Sequence, residues 1–269
     1  MNGTSVIRSP YEFISLEARD GIATVTLRHP EKRNALSLAT MRELLSAFES
    51  IGTDRTILVT ILRGLGPAFS SGHDMREILG AEGASAADAY RELFDTCVRV
   101  MTAIQTIPQP VIAEVAGIAT AAGCQLVASC DLAVASSDAR FATPGVKIGL
   151  FCTTPMVALT RSIGRKRAME MLLLGEFIDA PTAERWGLIN HVLPPEELAA
   201  GVLALARKIA TSSPIVVGLG KAAFYTQIEL DQPKAYAYAK EVMSMNALEA
   251  DAQEGMSAFL ERRSPVWKQ

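Results

Sequence analysis

The sequence predicts an α/β fold whose strands pair mostly in parallel. Between residues 56 and 136, strand-like segments (TILVTILRG, PVIAEVAG, DLAVAS) alternate with helix-like ones, and the first strand is apolar almost throughout. Alternation of this kind builds a sheet from strands joined by crossover helices. A continuously apolar strand is typical of a sheet that is covered on both faces. A chain of 269 residues has the length of one large domain, or of one domain with a small appendage.

The first half of the chain has readable element boundaries. Two β-rich runs, FISLEA and GIATVTLR, flank RDG and predict a hairpin. Ser37 is placed to cap a helix whose apolar residues follow at helical spacing. A second, long helix is predicted from Ala86 to Ile107, ending before Pro108. Residues 80–88 are rich in Ala, Gly and Ser, which predicts a mobile segment.

The second half changes character near residue 200. AAGCQLVAS predicts a helix, and LINHVLP predicts the last strand. The main helices predicted beyond it cover residues 196–211, 216–226 and 234–249. We therefore predict a core over residues 1–200 and a helical oligomerisation region over residues 201–269, which packs on its own core and on neighbouring subunits.

Composition excludes several classes of function. A net charge of −3 gives no electrostatic reason to expect binding to nucleic acid or to a membrane surface, and no apolar run is long enough to span a bilayer. The four cysteines lack C-x-x-C spacing and the three histidines are scattered, so neither a disulfide set nor a metal site is expected. The N-terminal sequence shows no targeting pattern, and the expected location is cytoplasmic.

Two turns, FSSGHD and GIATAAGCQ, share one design. In each, small residues follow a strand, lead into a helix and allow a backbone N–H group to approach a ligand. Two such N–H groups aimed at one point form an oxyanion hole, which stabilises charge developing on a carbonyl oxygen. The alternative interpretation is that both turns serve packing alone. Neither turn has the glycine pattern of a dinucleotide site or of a P-loop.

These turns occur in a longer series of motifs: RNALS, FSSGHD, PVIAEVAGIATAAGCQLVASCDLAVAS, ARFATPGVKIGL, RKRAMEMLLLGEFIDAPTAERWGLINHV and QEGMSAFLERRSPVW. In content and order, the series resembles the enoyl-CoA hydratase/isomerase (crotonase) superfamily over nearly the whole chain. The resemblance implies a crotonase-like spiral of ββα units with a helical C-terminal region, assembled as a homotrimer or a dimer of trimers. It also implies that the ligand is an acyl-CoA thioester, with no cofactor apart from the coenzyme A of the substrate.

The resemblance assigns roles to particular positions. The backbone N–H groups of His73 and Ala122 would form the oxyanion hole. Substrate-binding positions would be Ala35, Leu36, Ser71, Arg76, Phe259 and Arg262, of which the last two often reach the coenzyme A of a neighbouring subunit. Hydratases of the superfamily carry two glutamates, at the positions that Gln125 and Gly145 occupy here.

The missing glutamates leave two hypotheses for the function. A glutamine orients water but takes no proton from it, so hydration is expected to be weak while thioester binding persists. One hypothesis is an enzyme that works through an enolate-like state, by hydration, double-bond isomerisation or another step that needs no paired glutamates. The other is a non-catalytic acyl-CoA binder or regulatory subunit. Replacing both Gln125 and Gly145 with glutamate is expected to restore some hydration.

Other side chains near these motifs have two interpretations each. The imidazole of His73 is either a general base or a structural group beside a functional backbone N–H. Cys152 is either a nucleophile, for which no activating partner is evident, or a packing residue. Lys147 is a candidate contact for the acyl group or for a neighbouring carboxylate. Lys221 either meets the phosphates of coenzyme A or is an ordinary surface charge. Asp131 is expected to act as a cap or turn residue.

Overall fold

The computed structural model describes residues 11–80 and 85–268. Ten strands lie in these ranges: β1 (Ile14–Arg19), β2 (Ile22–Leu27), β3 (Val59–Gly64), β4 (Ala68–Ser70), β5 (Val111–Val115), β6 (Ile118–Thr120), β7 (Leu132–Ser136), β8 (Arg140–Ala142), β9 (Ile178–Asp179) and β10 (His191–Leu193). The helices are α1 (Leu38–Thr53), α2 (Met75–Leu79), α3 (Ala86–Thr106), α4 (Ala122–Ser129), α5 (Thr153–Ser162), α6 (Arg165–Leu174), α7 (Ala180–Trp186), α8 (Pro195–Ala210), α9 (Pro214–Gln227), α10 (Gln232–Asn246) and α11 (Ala250–Glu261). The segment predicted to be mobile, residues 80–88, lies partly outside the described residues.

A large sheet and a small sheet organise the molecule. The large sheet has the order β1-β2-β3-β5-β7-β10 and is parallel except for the β1–β2 hairpin. Asp20 and Gly21 have positive φ angles of 53° and 78°, as a tight hairpin turn requires. The small sheet has the order β4-β6-β8-β9, in which only β9 is antiparallel. The predicted α/β class is confirmed.

A ββα unit repeats three times along the chain. In β3–β4–α2, β5–β6–α4 and β7–β8–α5, the first strand joins the large sheet, the second joins the small sheet, and a helix follows. The strands β4, β6 and β8 have three residues each and are not apparent in the sequence, because so short a run shows no period. The spiral of ββα units is confirmed by these pairings.

The hydrophobic core lies on both faces of the large sheet. On one face, α1 and α3 pack together, and Phe48, Phe69 and Phe141 are fully buried. On the other face, α8 places Leu198 and Val202 against the strands. The sheet is therefore covered on both sides, which is why its central strands are apolar almost throughout.

The C-terminal helices begin inside this core. Residue 200, where the sequence indicated a boundary, lies within α8, and α8 covers the large sheet. The helices after Ala210 bury little: α10 has no buried residue, and α9 buries only Gly218. No single helix among the described residues is long and apolar enough to cross a membrane, and only α8 joined with α9, at a bend of 103°, has that length and composition.

Candidate active site

The candidate site lies where three neighbouring parallel strands end. β4, β6 and β8 lie side by side and point in the same direction, so their carboxyl ends meet at one edge of the small sheet. The segments that follow them start at Ser71, Ala121 and Thr143. This topology brings together both glycine-containing turns and the segment that contains Gly145.

Gly72 forms a close contact between the two turns. Its φ is +85°, and a Cβ atom added there would lie 2.9 Å from the carbonyl oxygen of Thr120 and 3.0 Å from the nitrogen of Ala122. Glycine is required both for this left-handed backbone and for so close an approach. The backbone beside His73 is thereby held against the start of α4.

Two backbone N–H groups remain unpaired at this contact. Leu36 forms an isolated parallel bridge with His73, in which the N–H of Leu36 donates to the carbonyl of Gly72 at 2.7 Å. The bridge leaves the N–H of His73 unused. Ala122 is the first residue of α4, where a helix has no internal acceptor for its N–H groups. Neither N–H has an acceptor in the described parts of the chain.

Strain accompanies this arrangement. Ala121, which precedes α4, has φ 50° and ψ −119°, a conformation that residues other than glycine rarely adopt. Backbone strain of this kind costs about 1–3 kcal/mol and concentrates at functional sites. The N–H of Ala121 itself donates to the carbonyl of Ala142 at 2.9 Å, which fixes the turn to the third strand of the site.

The two N–H groups border a cavity of about 420 Å³. Met75, Ile78 and Phe94 contribute apolar side chains from α2 and α3, and Leu150 and Phe151 contribute them from the segment before α5. No aspartate or glutamate is among the described residues that line it, and its only charged side chain is that of Lys147. The site is therefore able to hold an apolar group beside a polarised carbonyl, but it offers no carboxylate for moving a proton.

Gln125 and Gly145 have different environments. Gln125 is 4% exposed and is not among the residues that line the cavity; its Oε1 lies 3.9 Å from Sγ of Cys97. Gly145 lines the cavity directly. The position of one missing glutamate therefore lies within the helix packing, and the other lies on the cavity wall.

The segment after Gly145 changes the expected effect of restoring a carboxylate. A Cβ atom at Gly145 would lie 2.0 Å from the carbonyl oxygen of Leu150 and 2.8 Å from Sγ of Cys152. The N–H of Leu150 donates to the carbonyl of Gly145 at 3.0 Å, which holds the segment in place. A glutamate fits here only if this backbone moves, so the predicted return of hydration in the double glutamate variant would require the segment to rearrange.

The imidazole of His73 is oriented away from water. Both ring nitrogens are buried without a hydrogen-bond partner in the described residues, and the ring packs edge-on against Phe94 at 5.4 Å. Burial lowers the pKa of His73, and the nearby carbonyl of Leu36 offsets this effect only in part. A neutral ring whose nitrogens are sealed does not act as a base toward a ligand in the cavity. This geometry favours the backbone interpretation of His73.

The cysteines are also poor nucleophiles. Burial raises the pKa of Cys97 and of Cys124 to about 12. Burial raises the pKa of Cys152 as well, although a backbone contact with Gly145 opposes the shift. Cys152 is 7% exposed as a residue, and its thiol fills the space beside Gly145, which agrees with the packing interpretation.

The predicted substrate-binding positions fall into separate places. Ser71 lines the cavity. Ala35 and Leu36 are buried beside it, in the segment paired with His73. Arg76 is exposed on α2. Phe259 is 82% exposed and Arg262 caps α11, so both lie on the C-terminal helices and outside the residues that line the cavity.

Lys221 does not face solvent and is not available to coenzyme A. Its ammonium lies 2.6 Å from the Asp131 carboxylate and donates to the carbonyls of Ile104 and Gln109. Tyr225 donates to the same carboxylate at 2.9 Å. This network fastens α9 to the segment that follows α4, so Asp131 is an ion-pair partner and more than a turn residue.

The apolar wall of the cavity was not predicted from the sequence. Phe94 lies on the core-facing side of the predicted long helix, packed against buried residues, and it also lines the cavity. Nothing in a helical period shows that one residue of a core face reaches a ligand cavity. Met75 and Phe151 carry no pattern that distinguishes them from ordinary surface residues.

Comparison with known proteins agrees with this geometry. The enoyl-CoA hydratase/isomerase family profile matches residues 17–269. The chain is 49% identical over 253 residues to the rat (Rattus norvegicus) mitochondrial enoyl-CoA hydratase domain-containing protein 3, covering 94% of this chain and 83% of the relative. The chain belongs to the enoyl-CoA hydratase/isomerase family.

Solved structures support the assignment to this family. A crystal structure of enoyl-CoA hydratase from Mycobacterium smegmatis superposes with a TM-score of 0.92 at 46% identity, covering 95% of this chain and 99% of that one. The human enoyl-CoA hydratase domain-containing protein 3 superposes with a TM-score of 0.91 at 48% identity, covering 95% and 100%. The segments GLFCTTP, GKAAFY and FLERRSPVW resemble this branch of the family, and the similarity is confirmed.

The predicted cytoplasmic location is wrong by the same comparison. The rat and human relatives are both named as mitochondrial proteins. The prediction depended on the absence of a targeting pattern at the N-terminus, and residues 1–10 are outside the described part of the chain. The missing pattern therefore does not establish a compartment.

Proposed function

We propose that this family member binds acyl-CoA thioesters and stabilises an enolate-like state through the backbone N–H groups of His73 and Ala122, without the paired glutamates of classical hydratases. One observation carries the proposal: two unpaired N–H groups meet at a cavity whose described lining contains no carboxylate. Each such donor contributes about 3–4 kcal/mol to stabilising a transition-state oxyanion. The ligand needs no cofactor beyond the coenzyme A that it carries.

The stretching frequency of the thioester carbonyl measures directly whether these two N–H groups bind it. Butyryl-CoA labelled with ¹³C at the carbonyl should show a lower carbonyl stretching frequency when bound, because two N–H groups polarise the bond. The His73→Ala variant keeps its backbone N–H and should keep the shift. The thioether analogue of butyryl-CoA, which lacks the carbonyl, should bind more weakly in calorimetry. Saturable binding of butyryl-CoA without any frequency shift would contradict the assignment of the donors.

A second candidate function is acyl-CoA binding without turnover. The observation that favours it is the lack of an accessible acid or base: the nitrogens of His73 are sealed, and Gln125 lies outside the cavity. A positioned acid or base contributes about 10²- to 10⁴-fold to rate, so hydration of crotonyl-CoA should be very slow. Hydration at a rate typical of enzymes would refute both the binder hypothesis and the weak-hydration expectation.

We also propose that the C-terminal helices assemble the protein as a homotrimer or a dimer of trimers. Support comes from exposed apolar side chains, including Met243, Phe259 and Leu260 at 69%, 82% and 80% exposure. Contiguous exposure of this kind marks an interaction surface. Light scattering should give a multiple of the 28.8 kDa chain mass, and Leu260→Glu should reduce the assembly. A monomer at micromolar concentration would count against the proposal.

A further inference from the structure

Lys147 is an unusual component of the cavity wall. It belongs to the 3-10 turn Pro144–Ile148, and it is the one charged residue among the described residues that line the 420 Å³ cavity. Its ammonium forms no ion pair or hydrogen bond with any part of the chain that the structure describes. Lys147 is exposed, as lysines without a partner usually are, and it stands at the rim of a largely apolar cavity.

Packing directs the side chain of Lys147. Cε lies 3.4 Å from the position that a Cβ atom would take on Gly175, the residue that caps α6 with a φ of +58°. The aliphatic stem therefore passes over a residue without a side chain. The carboxyl end of α6 carries partial negative charge, which favours a cation there, but no carbonyl accepts from the ammonium. All three N–H donors of the ammonium remain available.

The cavity has no charge to compensate this cation. His73 is neutral at physiological pH, since burial lowers its pKa. Gly145, two residues before Lys147, stands where the resemblance places a glutamate in hydratases, so the carboxylate that would oppose the cation is absent. The N-terminus of the eight-residue helix α4 adds further positive potential at the thioester end. Positive charge therefore remains after the two oxyanion donors are satisfied by a carbonyl.

We propose that the acyl group of the ligand carries a carboxylate, so that the natural substrates are carboxyacyl-CoA thioesters whose free acid pairs with Lys147. This inference rests on the proposed function, because the thioester must first be bound by the His73 and Ala122 N–H groups. The apolar wall formed by Met75, Ile78 and Phe94 then covers the methylene groups between the thioester and the carboxylate. Because Lys147 is exposed at the rim, solvent screens this ion pair, and the expected gain in affinity is modest.

Three ligands and three variants test the inference by calorimetry. The ligands are glutaryl-CoA, the length-matched pentanoyl-CoA, and free coenzyme A. The wild-type protein should bind glutaryl-CoA about three- to tenfold more tightly than pentanoyl-CoA. Lys147→Met should abolish this preference and leave the affinity for pentanoyl-CoA unchanged. Lys147→Arg should retain the preference, and Lys208→Met, on the remote surface of α8, should bind all three ligands as the wild type does.

The outcomes separate the inference from the function on which it rests. Equal affinity of the wild-type protein for glutaryl-CoA and pentanoyl-CoA overturns the inference of a carboxyacyl ligand. Equal weakening of all three ligands in Lys147→Met also overturns it, since the lysine would then contact coenzyme A. Failure of every thioester to bind the wild-type protein refutes the proposed function instead. Without any variant, the wild-type preference should shrink between about 0.02 M and 0.5 M salt, and a salt-independent preference contradicts an ion pair.

Discussion

The two ends of helix α4 have opposite chemistry. At its first residue, Ala122, a backbone N–H group has no acceptor in the described chain and borders the cavity. Just past its last turn, Asp131 accepts hydrogen bonds from the backbone N–H of Val111 and from Tyr225, and pairs with Lys221. The amino end at Ala122, here called the open end, keeps a backbone N–H group free for a ligand. The carboxyl end at Asp131, here called the satisfied end, has three partners for its carboxylate. The comparison indicates that a fixed carboxyl end holds the open amino end in place.

Removing the cation at the satisfied end should have the largest effect. In Lys221→Met, the carboxylate of Asp131 loses its charged partner at a site where it is only 15% exposed. Leaving a buried charge unpaired costs about 3–5 kcal/mol, and chemical denaturation should show a loss of this size. Lys208→Met, at an exposed position on α8, should change stability by less than about 0.5 kcal/mol. A similar small change in both variants would show that the ion pair does not fix the helix.

A change at the open end should lower stability less than Lys221→Met does, but it should impair polarisation of the thioester carbonyl more. Gly72→Ala places a Cβ atom 3.0 Å from the nitrogen of Ala122 and strains a φ of +85°, which should cost about 1–3 kcal/mol. The same atom separates the two N–H donors, so the carbonyl frequency shift of bound butyryl-CoA should disappear. Gly220→Ala is the matched control: it lies within α9 with nothing within 4 Å, and should be neutral or stabilising. A normal frequency shift in Gly72→Ala would contradict the proposed contact.

The same comparison shows what the sequence reveals and what it does not. The hairpin, Ser37 as the cap of α1, and the end of α3 before Pro108 follow from local chemistry, and all three match the structure. The open end of α4 was also predicted, because small residues between a strand and a helix form a recognisable pattern. The ion pair at the satisfied end was not predicted. Asp131 and Lys221 are 90 residues apart in the sequence, and only the fold brings them together.

The space around Gly145 was likewise not readable from the sequence. The residue type shows that a carboxylate is missing, but it does not show that the carbonyl of Leu150 and the thiol of Cys152 occupy the space. Side-chain burial had the same effect on His73, whose position in the motif is compatible with a base until its ring nitrogens are seen to be sealed. Local patterns indicate which groups are present, whereas packing decides which of them a ligand can reach.

A milder change at the satisfied end should give an intermediate effect. Tyr225→Phe removes one hydrogen bond to the Asp131 carboxylate and leaves the Lys221 pair and the Val111 N–H in place. A hydrogen bond to a charged group contributes about 1.5 kcal/mol or slightly more. Denaturation should therefore show a smaller loss than Lys221→Met, with thioester binding preserved. A loss equal to that of Lys221→Met would mean that the phenol, and not the charge, holds α9.

The smallest effect should come from pH at the open end. Burial lowers the pKa of His73 in the folded state, whereas in the unfolded chain the imidazole titrates near its ordinary value of about 6.5. Below that value the unfolded chain binds a proton that the folded protein does not bind. Stability should therefore fall as pH decreases through about 6.5 toward the folded pKa, by at most about 1.4 kcal/mol per pH unit. Above the unfolded pKa the imidazole of His73 is neutral in both states, so its titration costs no stability there.

A titration-silent variant isolates this contribution. His73→Phe keeps an aromatic ring against Phe94 and removes the two unpartnered nitrogens. Because the ring no longer titrates, the variant should lose less stability than the wild type between about pH 7.5 and pH 5. Other groups titrate in both proteins and cancel in the difference. If the difference in unfolding free energy stayed constant across this range, the imidazole would be accessible to protons in the folded state. Its nitrogens would then be available to a ligand, and the backbone interpretation of His73 would have to be abandoned.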